Sequence, residues 1–285
     1  MGVAHAGDLR EGIRVCRDVS GAVSSNRTEH MVKGPEDLPA LAAIFEDEVI
    51  ESDAEGIERI RQRRERLGDD GVTVIGMPGT PLGMMVRDYS GVAALAYLWA
   101  DAPRAMHDLF AVVEANYRKR LAVGLGCDAD AVIAVDDTST TAISPAMFEA
   151  CNMDLTDARA DAAHAAGKLY FHHSCGLIRS LLPLYRRTKM DAVHGYTIPP
   201  VGNVTVAAGR EALGGRISIM AVVDQLAGPM ADRAAVRKSI HRMIEDARPW
   251  DHFMLMLAGY PNRTMEQTTF VVDCCRELGG RPCRS

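Results

Sequence analysis

The chain has 285 residues, of which 47% are hydrophobic and 25% charged, so it can bury a sizeable core and suits a single α/β barrel. Its formal net charge of −6 argues against a general nucleic-acid binder, because phosphate contacts need a clustered basic face. No apolar run is long enough to span a bilayer, and the start has no signal-peptide core. We therefore expect a cytoplasmic protein without membrane contact, whose 7 cysteines are reduced thiols or metal ligands.

The first seventy residues differ in pattern from the rest. Residues 8–32 predict a hairpin or an irregular arm, a helix opens near Gly34 and runs to about Glu46, and a charged helix spans Ala54–Leu67. The sequence contains no internal repeat and no low-complexity linker. We therefore predict one barrel domain over residues 1–285, with an N-terminal arm and helices in 1–70 and β/α repeats in 71–285.

Beyond residue 70, short apolar runs rich in β-branched residues alternate with longer helical patterns. The runs show no polar alternation, which is typical of parallel strands covered on both faces. The predicted strands are Val72–Ile75, Ala131–Val135, Leu169–Phe171, Asp191–Val193, Ile217–Val222 and Phe253–Leu257. The predicted helices are Ala102–Val123, Pro145–Ala166, Leu177–Arg187, Val204–Leu213, Arg233–Arg248 and Met265–Leu278. This alternation predicts a parallel sheet with right-handed crossovers, and the pattern alone leaves both a closed barrel and an open doubly wound sheet possible.

The segment His173-Ser174-Cys175 lies where a predicted strand ends, which is where α/β barrels build their active sites. A strand directs alternate side chains to the same side, so His173 and Cys175 can converge while Ser174 turns away. Imidazole nitrogen with thiolate sulfur favours zinc. His194 ends the next strand and is a candidate third ligand, because neighbouring strands lie about 5 Å apart. On the residues alone, a buried His and Cys that serve only packing stay an alternative.

Two adjacent carboxylates, Asp136 and Asp137, follow another apolar strand. Two carboxylates are costly to bury, so at least one should meet water, a cation or a ligand, and both are candidate catalytic residues. Helix capping and loop ordering are the alternative role for Asp137 and the hydroxyl residues after it. Gly79 lies in a Gly-rich turn that lacks the Gly-Lys-Ser/Thr ending of a phosphate loop, so we predict a tight turn that faces substrate.

Several segments, in this order, resemble the uroporphyrinogen decarboxylase superfamily. They are Ile75–Pro81, Asp136–Asp137, Ile143–Phe148, His173–Gly176, Thr197–Asn203 and Gly214–Asp224. The resemblance implies a (β/α)8 TIM-type barrel in which the first β/α unit is lacking or rearranged. The arginine-rich motif that binds porphyrinogen carboxylates in the family belongs to that unit, so the resemblance disfavours a true uroporphyrinogen decarboxylase.

The His-x-Cys pair resembles the branch of methylcobamide:coenzyme M and related corrinoid-dependent methyltransferases. The resemblance implies zinc held by His173, Cys175 and a later Cys, with a corrinoid such as methylcobalamin carried by a partner protein. Tyr260 stands where that later Cys is expected, so His194 becomes the candidate for the third position.

The predicted function is therefore a zinc-dependent methyltransferase that moves a methyl group between a small donor or acceptor and a protein-bound corrinoid. The predicted substrate-binding residues are Gly79, Tyr196 and Tyr260. A metal-independent decarboxylase or lyase, in which Asp136 stabilises charge, is one alternative. A non-catalytic subunit that pairs with a full-length relative or a corrinoid protein is another, and a homo-oligomer is compatible with all three.

Overall fold

The N-terminal part of the chain forms a hairpin and two helices. The computed structural model describes residues 9, 11–17, 23–136, 138–223, 232–257 and 264–279. Strands β1 (Gly12–Arg17) and β2 (Val23–Glu29) pair antiparallel in a two-stranded sheet of their own. Helices α1 (Leu38–Glu46) and α2 (Ala54–Leu67) follow. These elements confirm the predicted hairpin within its described residues, and they confirm both predicted helices.

Six parallel strands form the main sheet, and they pair in the order in which they occur along the chain. They are β3 (Val74–Pro78), β4 (Ala131–Val135), β5 (Leu169–His173), β6 (Ala192–Tyr196), β7 (Ser218–Val222) and β8 (Phe253–Met256). The strand order never reverses, so the chain winds in one direction, as in a TIM-type barrel and unlike a doubly wound sheet. In the part of the chain that the structure describes, β3 and β8 do not pair with each other, so the barrel is open between them.

Helices follow the strands and cover the outside of the sheet. They are α3 (Pro81–Met84), α4 (Gly91–Asp101), α5 (Pro103–Leu125), α6 (Pro145–Cys151), α7 (Met153–Ala165), α8 (Leu182–Tyr185), α9 (Val206–Leu213), α10 (Arg233–Asp246) and α11 (Met265–Gly279). None of the described helices is both long and apolar enough to cross a membrane.

Two helical predictions are wrong in detail. The single helix predicted over Pro145–Ala166 is two helices, α6 and α7, which meet at the fully buried Asn152. The prediction for Leu177–Arg187 is too long, because only a 3₁₀ turn at Arg179–Leu181 and the short α8 are helical there.

Alternate residues of the strands face two different environments. Outward-facing side chains such as Tyr170 and Ile219 pack against the helices in the main core. Inward-facing Ile133, Phe171 and Met220 belong to a second, smaller apolar cluster, which lines the lumen of the barrel. The carboxyl ends of the strands open above this lumen and hold the polar residues described next.

Candidate functional site

His173 and His194 come together at the carboxyl ends of two neighbouring strands. The register of β5 and β6 places the two residues side by side, so both side chains point to the lumen. Their Nδ1 atoms are 2.8 Å apart, and the ring centroids are 5.1 Å apart. Gly195, with φ of +79°, follows His194, and a Cβ atom built there would lie 2.6 Å from Cε1 of His173. Glycine at this position therefore leaves space for the His173 ring.

Both imidazoles are neutral at physiological pH. Burial lowers the pKa of His173, and the nearby His172 and Arg87 lower it further, against the opposing effect of Asp136. Burial, with a smaller contribution from His173, lowers the pKa of His194 to about 4. In a hydrogen bond between two neutral rings, one Nδ1 donates and the other accepts. The pair can thus hold and pass a proton, and neutral imidazole is also the form that binds metals.

Cys175 is a half-buried, reduced thiol two residues after His173. Between them, Ser174 is fully buried and points away from the lumen, as strand alternation predicts. Its hydroxyl lies 2.7 Å from that of Thr138 and 2.8 Å from that of Tyr185, and the last two are 2.8 Å apart. This hydroxyl ring of Thr138, Ser174 and Tyr185 fixes the backbone between His173 and Cys175 on the side that faces away from the lumen.

The predicted zinc ligands are brought together only in part. Two nitrogens bound to one tetrahedral zinc at about 2.0–2.1 Å lie about 3.3 Å apart, so the 2.8 Å gap between His173 and His194 needs only a small opening. Among the described residues, however, no three His, Cys, Asp or Glu side chains form a group that could hold a metal ion. The histidine pair fits two zinc positions, and Cys175 does not complete a set of three with it.

Asp136 lies behind the rim of the barrel and is 1% exposed. Its Oδ1 accepts hydrogen bonds from the backbone N of Thr80 at 2.5 Å and from the Thr80 hydroxyl at 3.0 Å. Its Oδ2 is 3.7 Å from Nδ1 of the buried His172. These contacts give Asp136 a positioning role at the start of α3, and its catalytic role stays a prediction. Asp137 lies outside the described residues.

Two of the three predicted substrate-binding residues, Gly79 and Tyr196, lie in the described part of the chain. Gly79 packs directly against Asp136, where any Cβ atom would collide with the carboxylate and with the carbonyl of Val135. Tyr196 is fully buried, burial raises its pKa, and its hydroxyl donates to the carbonyl of Thr205 at 2.9 Å. Both residues therefore have packing roles in this structure, and their contacts with substrate stay predictions. Tyr260 lies outside the described residues.

Arg87 is a polar residue at the site that the sequence did not single out. It lies in a π-helical turn, Met85–Tyr89, which continues directly from α3. Its Nη1 donates to the carbonyl of Val135, the last residue of β4, at 2.7 Å. The one available signal was the position of this segment after a Gly-rich turn at a strand end, because α/β barrels build their active sites at that end of the strands.

The fold and the position of this site define a class of protein, the α/β barrels of TIM type with functional side chains at the carboxyl ends of the strands. The model of the uroporphyrinogen decarboxylase (URO-D) family matches residues 26–278. The chain therefore belongs to the uroporphyrinogen decarboxylase family, as the sequence segments predicted.

A similar solved structure is a methyltransferase from Methanosarcina mazei. The two chains share 16% identity with a TM-score of 0.68, and the match covers 96% of this chain and 77% of that chain. At this identity the likeness shows a shared fold. No curated protein sequence matches the chain.

Proposed function

We propose that this chain is a zinc-dependent methyltransferase, which moves a methyl group between a small molecule and a corrinoid carried by a partner protein. The observation that carries the proposal is the contact between His173 and His194, 2.8 Å apart at the barrel mouth, with Cys175 two residues further on. Membership of the uroporphyrinogen decarboxylase family and the fold shared with a Methanosarcina mazei methyltransferase support it.

In this proposal His173 and His194 hold the metal, and Cys175 becomes the third ligand only when its side chain turns toward them, because the three do not form a metal-holding group in the described structure. The lowered pKa values of both histidines favour the neutral, metal-binding form at neutral pH, so no proton has to be displaced from them. When bound, zinc would supply Lewis-acid activation of a thiol or of a methyl donor. The hydroxyl ring keeps the segment between His173 and Cys175 fixed, and the apolar lumen below the histidines excludes water from the small molecule.

Metal analysis of the purified protein tests the proposal directly. We expect stoichiometric zinc in the wild type and its loss in His173→Ala and in Cys175→Ala, with unchanged circular dichroism. Cys151→Ala is the matched control, because Cys151 is a half-buried thiol in α6, and it should keep its zinc. A folded wild-type protein that takes up no zinc when the metal is supplied would contradict the proposal.

The corrinoid part of the proposal is tested by a separate measurement. With methylcobalamin as the methyl donor and 2-mercaptoethanol as the acceptor, the loss of the cobalt–methyl bond is followed by visible absorbance. We expect the zinc-loaded wild type to accelerate this transfer and Cys175→Ala to lose the acceleration. Zinc binding without any acceleration would rule out methyl transfer and leave only a metal site. This outcome requires that neither thiol acceptors nor, in the reverse direction, methoxyl and ammonium donors support the transfer.

One observation favours a metal-independent decarboxylase or lyase as the second candidate. Two neutral imidazoles in a direct hydrogen bond can accept a proton on one ring and relay it through the other, which is what general base catalysis requires. This candidate predicts activity that survives a chelator and survives Cys175→Ala but is lost in His173→Gln. Activity after treatment with a chelator and in Cys175→Ala therefore separates the two proposals.

A further inference from the structure

The four backbone N–H groups that directly follow Cys175 all donate to side-chain oxygens of neighbouring loops. The first, that of Gly176, donates to the hydroxyl of Thr197 at 2.8 Å. The second, that of Leu177, donates to the hydroxyl of Ser139 at 3.1 Å. Thr197 directly follows β6, Ser139 lies in the loop after β4, and both are buried. The two strands that flank β5 thus supply acceptors to the segment that leaves its end.

Asn203, in the loop after β6, accepts from the other two N–H groups. Its Oδ1 accepts from the backbone N of Ile178 at 3.1 Å and from that of Arg179 at 3.1 Å. The side chain of Arg179 in turn donates from Nε to the backbone carbonyl of Asn203 at 3.0 Å. One side chain therefore holds two consecutive backbone N–H groups, and Arg179 holds the loop that carries this side chain.

These bonds hold a segment that has no regular secondary structure between the end of β5 and the 3₁₀ turn at Arg179–Leu181. Loop backbone of this kind usually bonds to water and moves, whereas a protein acceptor holds each N–H group in one direction. The carbonyl of Leu177 is held as well, because the N–H group and the hydroxyl of Thr140 donate to it at 2.8 and 2.7 Å. The hydroxyl ring fixes the backbone before Cys175, so the chain is held on both sides of this thiol.

We propose that Ser139, Thr197 and Asn203 are positioning residues for Cys175. They fix the backbone on its carboxyl side, so the thiol approaches the histidine pair only by rotation of its own side chain. The inference rests on the proposed function in taking Cys175 as the third metal ligand. Residues that hold a metal ligand in place typically change metal affinity by about 10–100-fold when they are lost. The fixation of the loop itself does not require zinc and is tested without it.

Amide hydrogen exchange of the metal-free protein, followed by ¹H–¹⁵N NMR, tests the fixation of the loop. Asn203→Ala should speed the exchange of the Ile178 and Arg179 amides about tenfold relative to the rest of the chain, because both lose their acceptor. Asn203→Asp should restore their protection, since it keeps an acceptor oxygen. Thr197→Val should affect the amide of Gly176 and leave the other two protected. Equal protection of Ile178 and Arg179 in the wild type and in Asn203→Ala would overturn the assignment, as would faster exchange spread evenly over the chain.

Zinc affinity, measured by competition with a chromophoric chelator, links the loop to Cys175. Asn203→Ala should weaken zinc binding about 10–100-fold, and Asn203→Asp should recover it. Asp53→Ala is the matched control, because Asp53 also accepts from a backbone N–H group, that of Gly56 at the start of α2, and it should bind zinc like the wild type. Unchanged zinc affinity in a folded Asn203→Ala variant would overturn the positioning of Cys175. A wild type that binds no zinc would contradict the proposed function, while amide exchange still decides whether the loop is fixed, so the two proposals fail separately.

Discussion

The imidazole of His194 is neutral, half-buried and next to the imidazole of His173. Burial and His173 lower its pKa from 6.5 to about 4, so the unfolded chain takes up a proton in this interval that the native protein does not. The native state therefore has its full stability above pH 6.5 and loses it progressively as the pH falls toward 4. We predict that the free energy of unfolding, measured by urea titration, falls more steeply over this interval in the wild type than in His194→Gln. Parallel pH profiles for the two proteins would refute the prediction.

Gly195 leaves the space that the imidazole ring of His173 occupies. Its φ is +79°, and an added Cβ would lie 2.6 Å from His173 Cε1. Gly195→Ala should destabilise the protein by about 1–2 kcal/mol through its backbone alone and should also displace the histidine. Gly215→Ala is the matched control, because Gly215 has φ of +71° and open space around the added Cβ.

The readout for Gly195→Ala is the ¹H–¹⁵N NMR spectrum of the histidine rings together with urea unfolding. Both alanine variants should lose comparable stability from the backbone, and only Gly195→Ala should shift the ring signals of His173 and His194. Identical histidine spectra for the two variants would show that the ring does not depend on this glycine.

The sequence could predict the histidine pair but not the roles of its neighbours. His173 and His194 end consecutive apolar runs, and the ends of neighbouring parallel strands meet at one rim. Asp136 is bonded to Thr80, 56 residues away along the chain, and Tyr196 to the carbonyl of Thr205, nine residues away across a loop, and neither contact is visible in the residue pattern. Arg87 reaches the rim only because a π-helical turn redirects the chain there, and this local geometry leaves no mark in the residue pattern.

Helices α5 and α7 are joined by a buried ion pair. Arg159, 1% exposed, donates to Glu114 at 2.6 Å and stacks over the ring of Tyr117 at 3.3 Å. Removing one partner leaves an uncompensated buried charge, so Glu114→Ala should lower the free energy of unfolding by about 3–5 kcal/mol. Glu55→Ala, which removes an exposed pair with Arg59, should cost far less in the same urea titrations.

A double variant decides whether the ion pair between Glu114 and Arg159 is itself stabilising. Combining Glu114→Leu with Arg159→Met removes both charges and keeps apolar volume, so it should recover most of the stability lost in Glu114→Ala. A double variant as unstable as the single one would show that the loss comes from packing and not from an unpaired charge.

At the level of elements, the six strands were predictable and several helices were not. Strands buried on both faces appear as short β-branched runs, and all six runs are strands in the main sheet. Helix α4 is largely apolar, so no amphipathic stripe marks it in the sequence. The break at Asn152 lies inside one continuous helical pattern, and a pattern of this kind does not show where the chain changes direction.

The barrel as a whole is open between its first and last parallel strands. Among the described residues β3 and β8 each pair on one side only, and inward-facing Val74 and Met254 beside this opening are 40% and 46% exposed. Unpaired edges with exposed apolar side chains favour association. We predict that light scattering after size exclusion shows a mass that rises with concentration, and that Met254→Lys reduces it.

Val201→Lys is the control for this measurement, because Val201 is an exposed apolar residue (53%) in the loop after β6, a strand that pairs on both sides. It should leave the association unchanged. A wild type that stays monomeric at all concentrations would show that the opening does not drive self-association.

The hydroxyl ring of Thr138, Ser174 and Tyr185 also limits how this protein can evolve. Each hydroxyl is fully buried and bonds to the other two, so losing one leaves two buried groups short of a partner. Substitutions at these three positions should be epistatic, so the three residues should be kept together or exchanged together. The apolar lumen side chains Ile133, Phe171 and Met220 take part in no hydrogen bond, so exchanging them for other apolar residues leaves no polar group unpaired. A mutant library aimed at new substrates should therefore vary the lumen and leave the wall behind Cys175 intact.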